Sequence, residues 1–207
     1  KKQAESLGIV YTPVEIVDFI LRAADDVSKK HFGKGLSDEG VCILDPFAGT
    51  STFTVRLLQS GLIKPGDLAR KYANELFATE IMLLAYYVSA VNIETTYNAL
   101  REEAALRNGE PAPEYVPFAN IALADTFQIH EEGDIQDLNV FRENNATIER
   151  QKSAPINVVI GNPPYSAGQK SANDFNANLK YPSLDKRIAE TYAAKSTATN
   201  KNSLYDS

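Results

Sequence analysis

The stretch that decides the fold is "VCILDPFAGTSTFTVRLLQSG", residues 41–61. It opens with a continuous apolar run, Val41 to Leu44, closed by the acid Asp45. Such a run fits a strand buried on both faces, as in a parallel sheet. A turn containing Pro46 and Gly49 follows. Phe53 and Leu57 then fall one helical turn apart, and Gly61 supplies a stop. The segment reads as strand, tight turn, helix.

Three further apolar runs lie outward from it. "YANELFATE" (72–80) ends in Glu80, "FANIALAD" (118–125) in Asp125, and "INVVIGN" (156–162) in Asn162. The longest apolar run, Ile81 to Val91, is shorter than the ~20 residues a bilayer span needs, so it predicts a buried helix. Helical patterning resumes over 94–109, with Gly109 as a stop. Upstream, "YTPVEIVDFILRAADDV" (11–27) carries a helix-start signal. Thr12 can cap, Pro13 suits the first helical position, and Glu15 completes a capping box. Val14, Val17, Leu21 and Ala24 then share a face. Residues 28–40 read as a loop, 130–155 as a long polar connection, and Leu184 to Ala194 as one amphipathic helix. Four apolar strands, with helices between the first three, predict a doubly wound, mostly parallel α/β sheet.

Ligands of such sheets bind at the carboxyl edge of the strands, which right-handed crossovers bring together. Each run here delivers a polar residue to that edge: Asp45, Glu80, Asp125 and Asn162. The turn after Asp45 has neither the G-x-G-x-x-G of dinucleotide folds nor a P-loop lysine. An acid at that point repels phosphate and attracts a cation. The expected ligand therefore carries an ammonium or sulfonium, and S-adenosylmethionine carries both. Glu80 can accept hydrogen bonds from ribose hydroxyls. Glu75 is its rival; Glu80 is preferred because the apolar helical run begins directly after it. Asp125 can read the exocyclic amine of a cofactor adenine. The bland alternatives are an ordinary strand-to-helix turn at 45–50, an acid at a helix N-terminus for Glu80, and a turn cap for Asp125.

Asn162-Pro163-Pro164-Tyr165 carries the most specific signal. An aromatic amine is a poor nucleophile because its lone pair is delocalised into the ring. Two neutral acceptors, the Asn162 side-chain oxygen and the Pro163 carbonyl, can bind both amine hydrogens and draw the nitrogen toward tetrahedral geometry. The proline pair holds them still, so little reorganisation is needed. Tyr165 offers a face on which an extruded base can stack.

The net charge of −6 argues against a generic nucleic-acid coat. Its distribution is uneven: residues 1–149 balance at −10 and residues 150–207 at +4. The single cysteine, Cys42, excludes an intrachain disulfide and fits a cytoplasmic location. The two histidines, His31 and His130, lack partners at ligand spacing, so no metal site is expected. The chain opens "KKQAESLG", with no starting Met and no apolar signal segment, which suggests a piece of something longer.

"DPFAGT" resembles the cofactor motif, and "NPPY" the catalytic motif, of amino-methyltransferases acting on adenine N6 in DNA. "YTPVEIVDFIL" resembles the segment that closes over the methionine part of the cofactor. This order is similar to the gamma arrangement. "GIVYTPVEIVDFI", "EIMLLAYYVSAVNIE", "GNPPYSAGQ" and "YPSLDKRIAETY…KNSLYDS" are similar to the methyltransferase region of single-chain Type ISP restriction-modification enzymes. Ser51 stands where many such relatives have Gly. The resemblance implies a Rossmann-like S-adenosylmethionine-dependent methyltransferase sheet, incomplete at four strands. It implies cofactor contacts at Tyr11, Thr12, Asp45, Phe47, Gly49, Thr50, Glu80 and Asp125, and catalysis at Asn162, Pro163, Pro164 and Tyr165. The implied partners are duplex DNA with a flipped adenine and the target recognition, helicase and nuclease regions of the same longer chain; no membrane is expected. The implied layout is a cofactor-closing segment (1–40), a methyltransferase core (41–165) and a basic extension (166–207). Protein glutamine and RNA guanine are alternative substrates, since both present a planar conjugated nitrogen.

Overall fold

The structure is a computed structural model, and it describes residues 12–129, 131, 142–163 and 181–197. It divides into two compact units, Tyr11–Ala124 with Asp137–Pro163, and Lys1–Val10 with Asp125–Gln136 and Pro164–Ser207. The first holds the sheet. Its strands are β1 (Cys42–Asp45), β2 (Leu76–Glu80), β3 (Ile121–Leu123) and β4 (Ile156–Val159), in the order β3-β2-β1-β4 and all parallel. The order reverses direction after β3, which makes the sheet doubly wound and Rossmann-like, with its switch point between β1 and β4.

Among the described residues, four helices flank the sheet: α1 (Val14–Phe32), α2 (Thr52–Gln59), α3 (Leu83–Asn108) and α4 (Arg142–Ser153). Residues of β2 point alternately to two faces. Leu76 and Ala78 join Val17, Leu21, Leu57 and Ile93 in the core. Thr79 points the other way and accepts a hydrogen bond from Gln151 of α4 at 2.7 Å. The pattern is thus helix layer, sheet, helix layer. The run 65–75 before β2 is a chain of short helical turns, the last a π-helical one that buries Tyr72, stacked on Tyr97 of α3 at 3.5 Å between ring centroids.

Several expectations are corrected. α1 continues to Phe32, where Gly33 closes it with φ of 72°, so the loop begins later than residue 28. Thr12 does not cap α1. Pro13 takes the cap position, and its carbonyl accepts from Ile16 and Val17 N–H at 3.0 and 3.1 Å. The run Ile81–Val91 is not buried: Leu84 is 75% exposed and Tyr87 59%. It forms the start of one long helix that ends at Gly109, as the sequence predicts.

Residues 142–153 are a helix rather than part of a connection. α4 shows no apolar stripe because it packs through polar groups. Asn144 brackets the β3 edge, accepting from Leu123 N–H at 2.7 Å and donating to Leu123 C=O at 2.9 Å. Thr147 and Arg150 both donate to the Ala119 carbonyl. An edge strand has backbone groups to satisfy, and α4 satisfies them with side chains.

In the second unit, α5 (Pro182–Glu190) and α6 (Tyr192–Lys195) break at Thr191 where one helix was expected. Glu131 caps α5, accepting from Ser183 and Leu184 N–H at 2.8 Å each. Among the described residues, no helix is long and apolar enough to cross a membrane.

Candidate functional site

Asp45 and Glu80 are the last residues of adjacent parallel strands, so both carboxyls arrive at the same edge. Both are buried, at 3% and 8% exposure. Burial pushes the Asp45 carboxyl up to about 7, and the Glu80 charge nearby pushes the same way against the Phe47 N–H that donates to it at 3.2 Å. Burial likewise raises Glu80, opposed by backbone N–H groups of Met82, Gly49 and Ile81. The Gly49 and Met82 donors each lie 2.7 Å from a Glu80 oxygen. A carboxylate has about four acceptor positions, so Glu80 keeps capacity for further donors. Asp45 Oδ2 is buried and has no hydrogen-bond partner among the described residues. Two desolvated acids at one edge, one with an oxygen that has no partner among the described residues, favour a bound proton or a donor there.

The turn after Asp45 is open at its glycine. Gly49 has φ of 55°, and a Cβ there would meet nothing within 4 Å. The turn is pinned from behind. Ala48 N–H donates to Thr79 C=O at 2.9 Å, and Asn92 of α3 donates to Thr50 C=O at 3.0 Å. The buried Ser51 and Ser89 hydroxyls bond to each other. Ser51 has φ of 63°, the left-handed region, which explains why glycine suits this position. Phe47 is half-buried and Thr50 exposed.

β4 brings Asn162 to the same edge through a register shift. Cys42 pairs with Ile156 and Ile43 with Val158, so Asn157 is the extra residue of a bulge. Its side-chain oxygen accepts from Cys42 N–H at 2.8 Å, repairing the ladder. Ile160 N–H donates to Leu44 C=O at 2.9 Å, extending the pairing. Gly161 then passes so close to β1 that a Cβ would meet Asp45 Oδ1 at 2.8 Å and Pro46 Cδ at 3.3 Å. Asn162 is half-buried, and its Nδ2 donates to Thr12 Oγ1 at 3.0 Å. Pro163 is exposed.

Glu75 precedes β2 at its opposite end. It accepts from Gly40 N–H and pairs with the fully buried Lys71, each at 2.8 Å, and with Arg70. It is a structural ion pair, remote from the edge where Glu80 ends the strand. Asp125 lies in the second unit, accepting from Phe127 N–H and Tyr181 hydroxyl at 2.9 Å each. Tyr11, Pro164 and Tyr165 lie outside the described residues.

The structure thus gathers Thr12, Asp45, Phe47, Gly49, Thr50, Glu80, Asn162 and Pro163 in one unit. Sequence reasoning overlooked Gly161 and the pins Ser89 and Asn92. A glycine just past an apolar strand is a visible mark of close backbone approach; Ser89 and Asn92 carry no such mark. It also overlooked Ile81, which is 43% exposed immediately after Glu80.

The fold defines the class: a Rossmann-like α/β protein with two buried acids, Asp45 and Glu80, at the carboxyl ends of adjacent strands. Among solved structures the chain is similar to a nuclease-deletion mutant of the Type ISP restriction-modification enzyme LlaGI in complex with a DNA substrate mimic. The identity is 47% and the TM-score 0.81, over 96% of this chain and 16% of that one. It is also similar to the ATP-dependent Type ISP enzyme LlaBIII bound to DNA, at 45% identity and TM-score 0.82, over 97% of this chain and 13% of that one. A DrdV–DNA complex matches at 42% identity and TM-score 0.76, over 95% and 18% of the respective chains. The chain therefore spans less than a fifth of the length of these proteins. No protein-family model and no curated relative matches it.

Proposed function

We propose that this chain is the cofactor-binding and catalytic part of a restriction-modification enzyme that methylates adenine N6 in duplex DNA. The observation that carries the reading is the orphaned, buried Asp45 Oδ2 beside Glu80 at the edge that also receives Asn162. Similarity at 42–47% identity to proteins solved with DNA, two of them Type ISP enzymes, supports DNA as the substrate.

The residues fit S-adenosylmethionine, which when bound supplies an electrophilic methyl group. Asp45 Oδ2 accepts from its ammonium, and Glu80 accepts from ribose hydroxyls. Gly49 leaves the backbone open to approach. Ile81 offers an apolar face beside Glu80, Phe47 and Thr50 lie on the turn after Asp45, and Tyr11 and Asp125 are further candidate cofactor contacts. Asn162 Oδ1 and the Pro163 carbonyl accept the two N–H groups of the target amine, so its lone pair localises toward the methyl. Neither acceptor titrates, and neither competes as a nucleophile. Pro164 stiffens the corner and Tyr165 stacks the flipped base.

The test is methyl transfer from tritium-labelled cofactor by the full-length protein to duplex DNA, structured RNA and a release-factor protein in parallel. Label in DNA, recovered as N6-methyladenine, is expected. Label only in RNA or protein would assign the same site to guanine or glutamine instead.

A further inference from the structure

The first half of α3 is apolar on both sides. Ser89, Ile93 and Tyr97, spaced one turn apart, are buried and define the inner face. Leu84, Tyr87, Val88 and Val91 fall on the opposite side, at the i, i+3, i+4, i+7 spacing of a single stripe. They are 75%, 59%, 39% and 58% exposed. The outer face of a surface helix ordinarily carries charge. Here no charged residue stands between Glu80 and Glu94, and no Lys or Arg between Glu80 and Arg101. The stripe ends where the same face turns polar, at the exposed Thr95 and Glu102, each a heptad step beyond Val88. This composition selects the partner. Phosphate and anionic lipid both call for Lys or Arg, so neither nucleic acid nor a membrane surface fits the stripe. The spacing fits another helix, whose side-chain ridge can seat along it. The source of that helix follows from chain length. The solved chains at 42–47% identity are matched over only 13–18% of their length, so more than four-fifths of each lies outside the matched part but on the same polypeptide. A tethered segment reaches an effective concentration on the order of millimolar, which favours it over a second copy.

We propose that the Leu84–Val91 stripe of α3 seats an amphipathic helix of the same polypeptide, supplied from outside residues 1–207. Leu84, Tyr87, Val88 and Val91 form this chain's side of the contact, and Thr95 and Glu102 mark its polar end. The stripe starts four residues after Glu80, so the docked helix lies against the turn of α3 that follows the acid ending β2. The assignment uses no cofactor or substrate contact and stands apart from the methyl-transfer reading.

The test is photo-crosslinking in the full-length protein, with Tyr87→p-benzoylphenylalanine as the probe and mass spectrometry of the digested product as the readout. The expected product has monomer mass and joins residue 87 to a peptide outside residues 1–207 with apolar residues at helical spacing. The same probe at Leu106, an exposed apolar residue near the other end of α3, should give no such product. In the Tyr87 probe protein, Leu84→Glu with Val91→Glu should cut the yield about tenfold or more, since each puts an unpaired charge into an apolar contact. Leu84→Met with Val91→Ile, which keep the stripe apolar, should leave it within about twofold. A product of dimer mass would assign the stripe to a second copy. A crosslink confined to residues 1–207, a partner peptide without helical apolar spacing, the absence of any crosslinked peptide, or a yield unmoved by the glutamate pair would each overturn the proposal.

Discussion

Asp45 carries a buried oxygen without a partner among the described residues, and its titration gives that burial a measurable form. Its folded value of about 7 lies above the ordinary carboxylate value of 3.8. Below the unfolded value the proton bound by the buried carboxyl stabilises the fold in full. That stabilisation is lost as pH rises toward and through about 7. The cofactor-free chain should therefore melt at lower temperature as pH climbs from 5 to 8, and Asp45→Asn should flatten this component of the slope. Cofactor affinity should run the opposite way. A cation prefers the carboxylate, so binding should strengthen as pH rises toward 7 and level off above it. Calorimetric melts and titrations over that range check both signs; parallel pH trends in Asp45→Asn and the parent chain would contradict the assignment.

Elements meet at this edge with little slack. Gly161→Ala would drive a methyl onto Asp45 Oδ1, at 2.8 Å from an ideal Cβ, and onto the Pro46 ring. Backbone on both strands must then shift, and urea denaturation should show a loss of about 1–3 kcal/mol. The α2–α3 pin makes a second prediction. Ser89→Ala leaves the buried Ser51 hydroxyl without its partner and should cost about 1–3 kcal/mol. Adding Ser51→Gly removes that hydroxyl and also relieves the positive φ, so the double variant should recover part of the loss. An additive double variant in the same denaturation series would show that the two hydroxyls are not coupled.

The same elements explain what the sequence could and could not disclose. β1, its turn and α2 were legible because burial on both faces writes a continuous apolar run and glycine writes the turn. Glu80 was legible as a strand end, since the pattern changes directly after it. α4 was hidden, because Asn144, Thr147 and Arg150 hold it to an edge strand by hydrogen bonds that leave no apolar period. Thr12 was misread because a hydroxyl before proline looks like a cap whether it caps or reaches elsewhere. Its partner lies 150 residues away, a distance local patterning cannot bridge.

For the whole molecule, apolarity is spread in a way that matters. Leu84, Tyr87, Val88 and Val91 lie exposed along one stripe of α3, while Phe19, Val27 and Val159 are exposed where α1 and β4 line a groove of about 370 Å³. Exposed apolar stripes of this kind bind hydrophobic dyes. The folded chain should enhance anilinonaphthalene sulfonate fluorescence, and Leu84→Glu with Val91→Glu should lower that signal without lowering the melting temperature. An unchanged signal would mean the stripe is covered.

The Asp45–Glu80 edge is proposed to hold S-adenosylmethionine through a buried carboxylate oxygen that has no partner among the described residues. Calorimetric titration of the chain at pH 7.5, beside Asp45→Asn, tests it most directly. Saturable one-site binding is expected, weakened about 10- to 150-fold by Asp45→Asn, the range of one charge-assisted hydrogen bond. Absence of binding to the parent chain, or equal affinity in the two proteins, would contradict it.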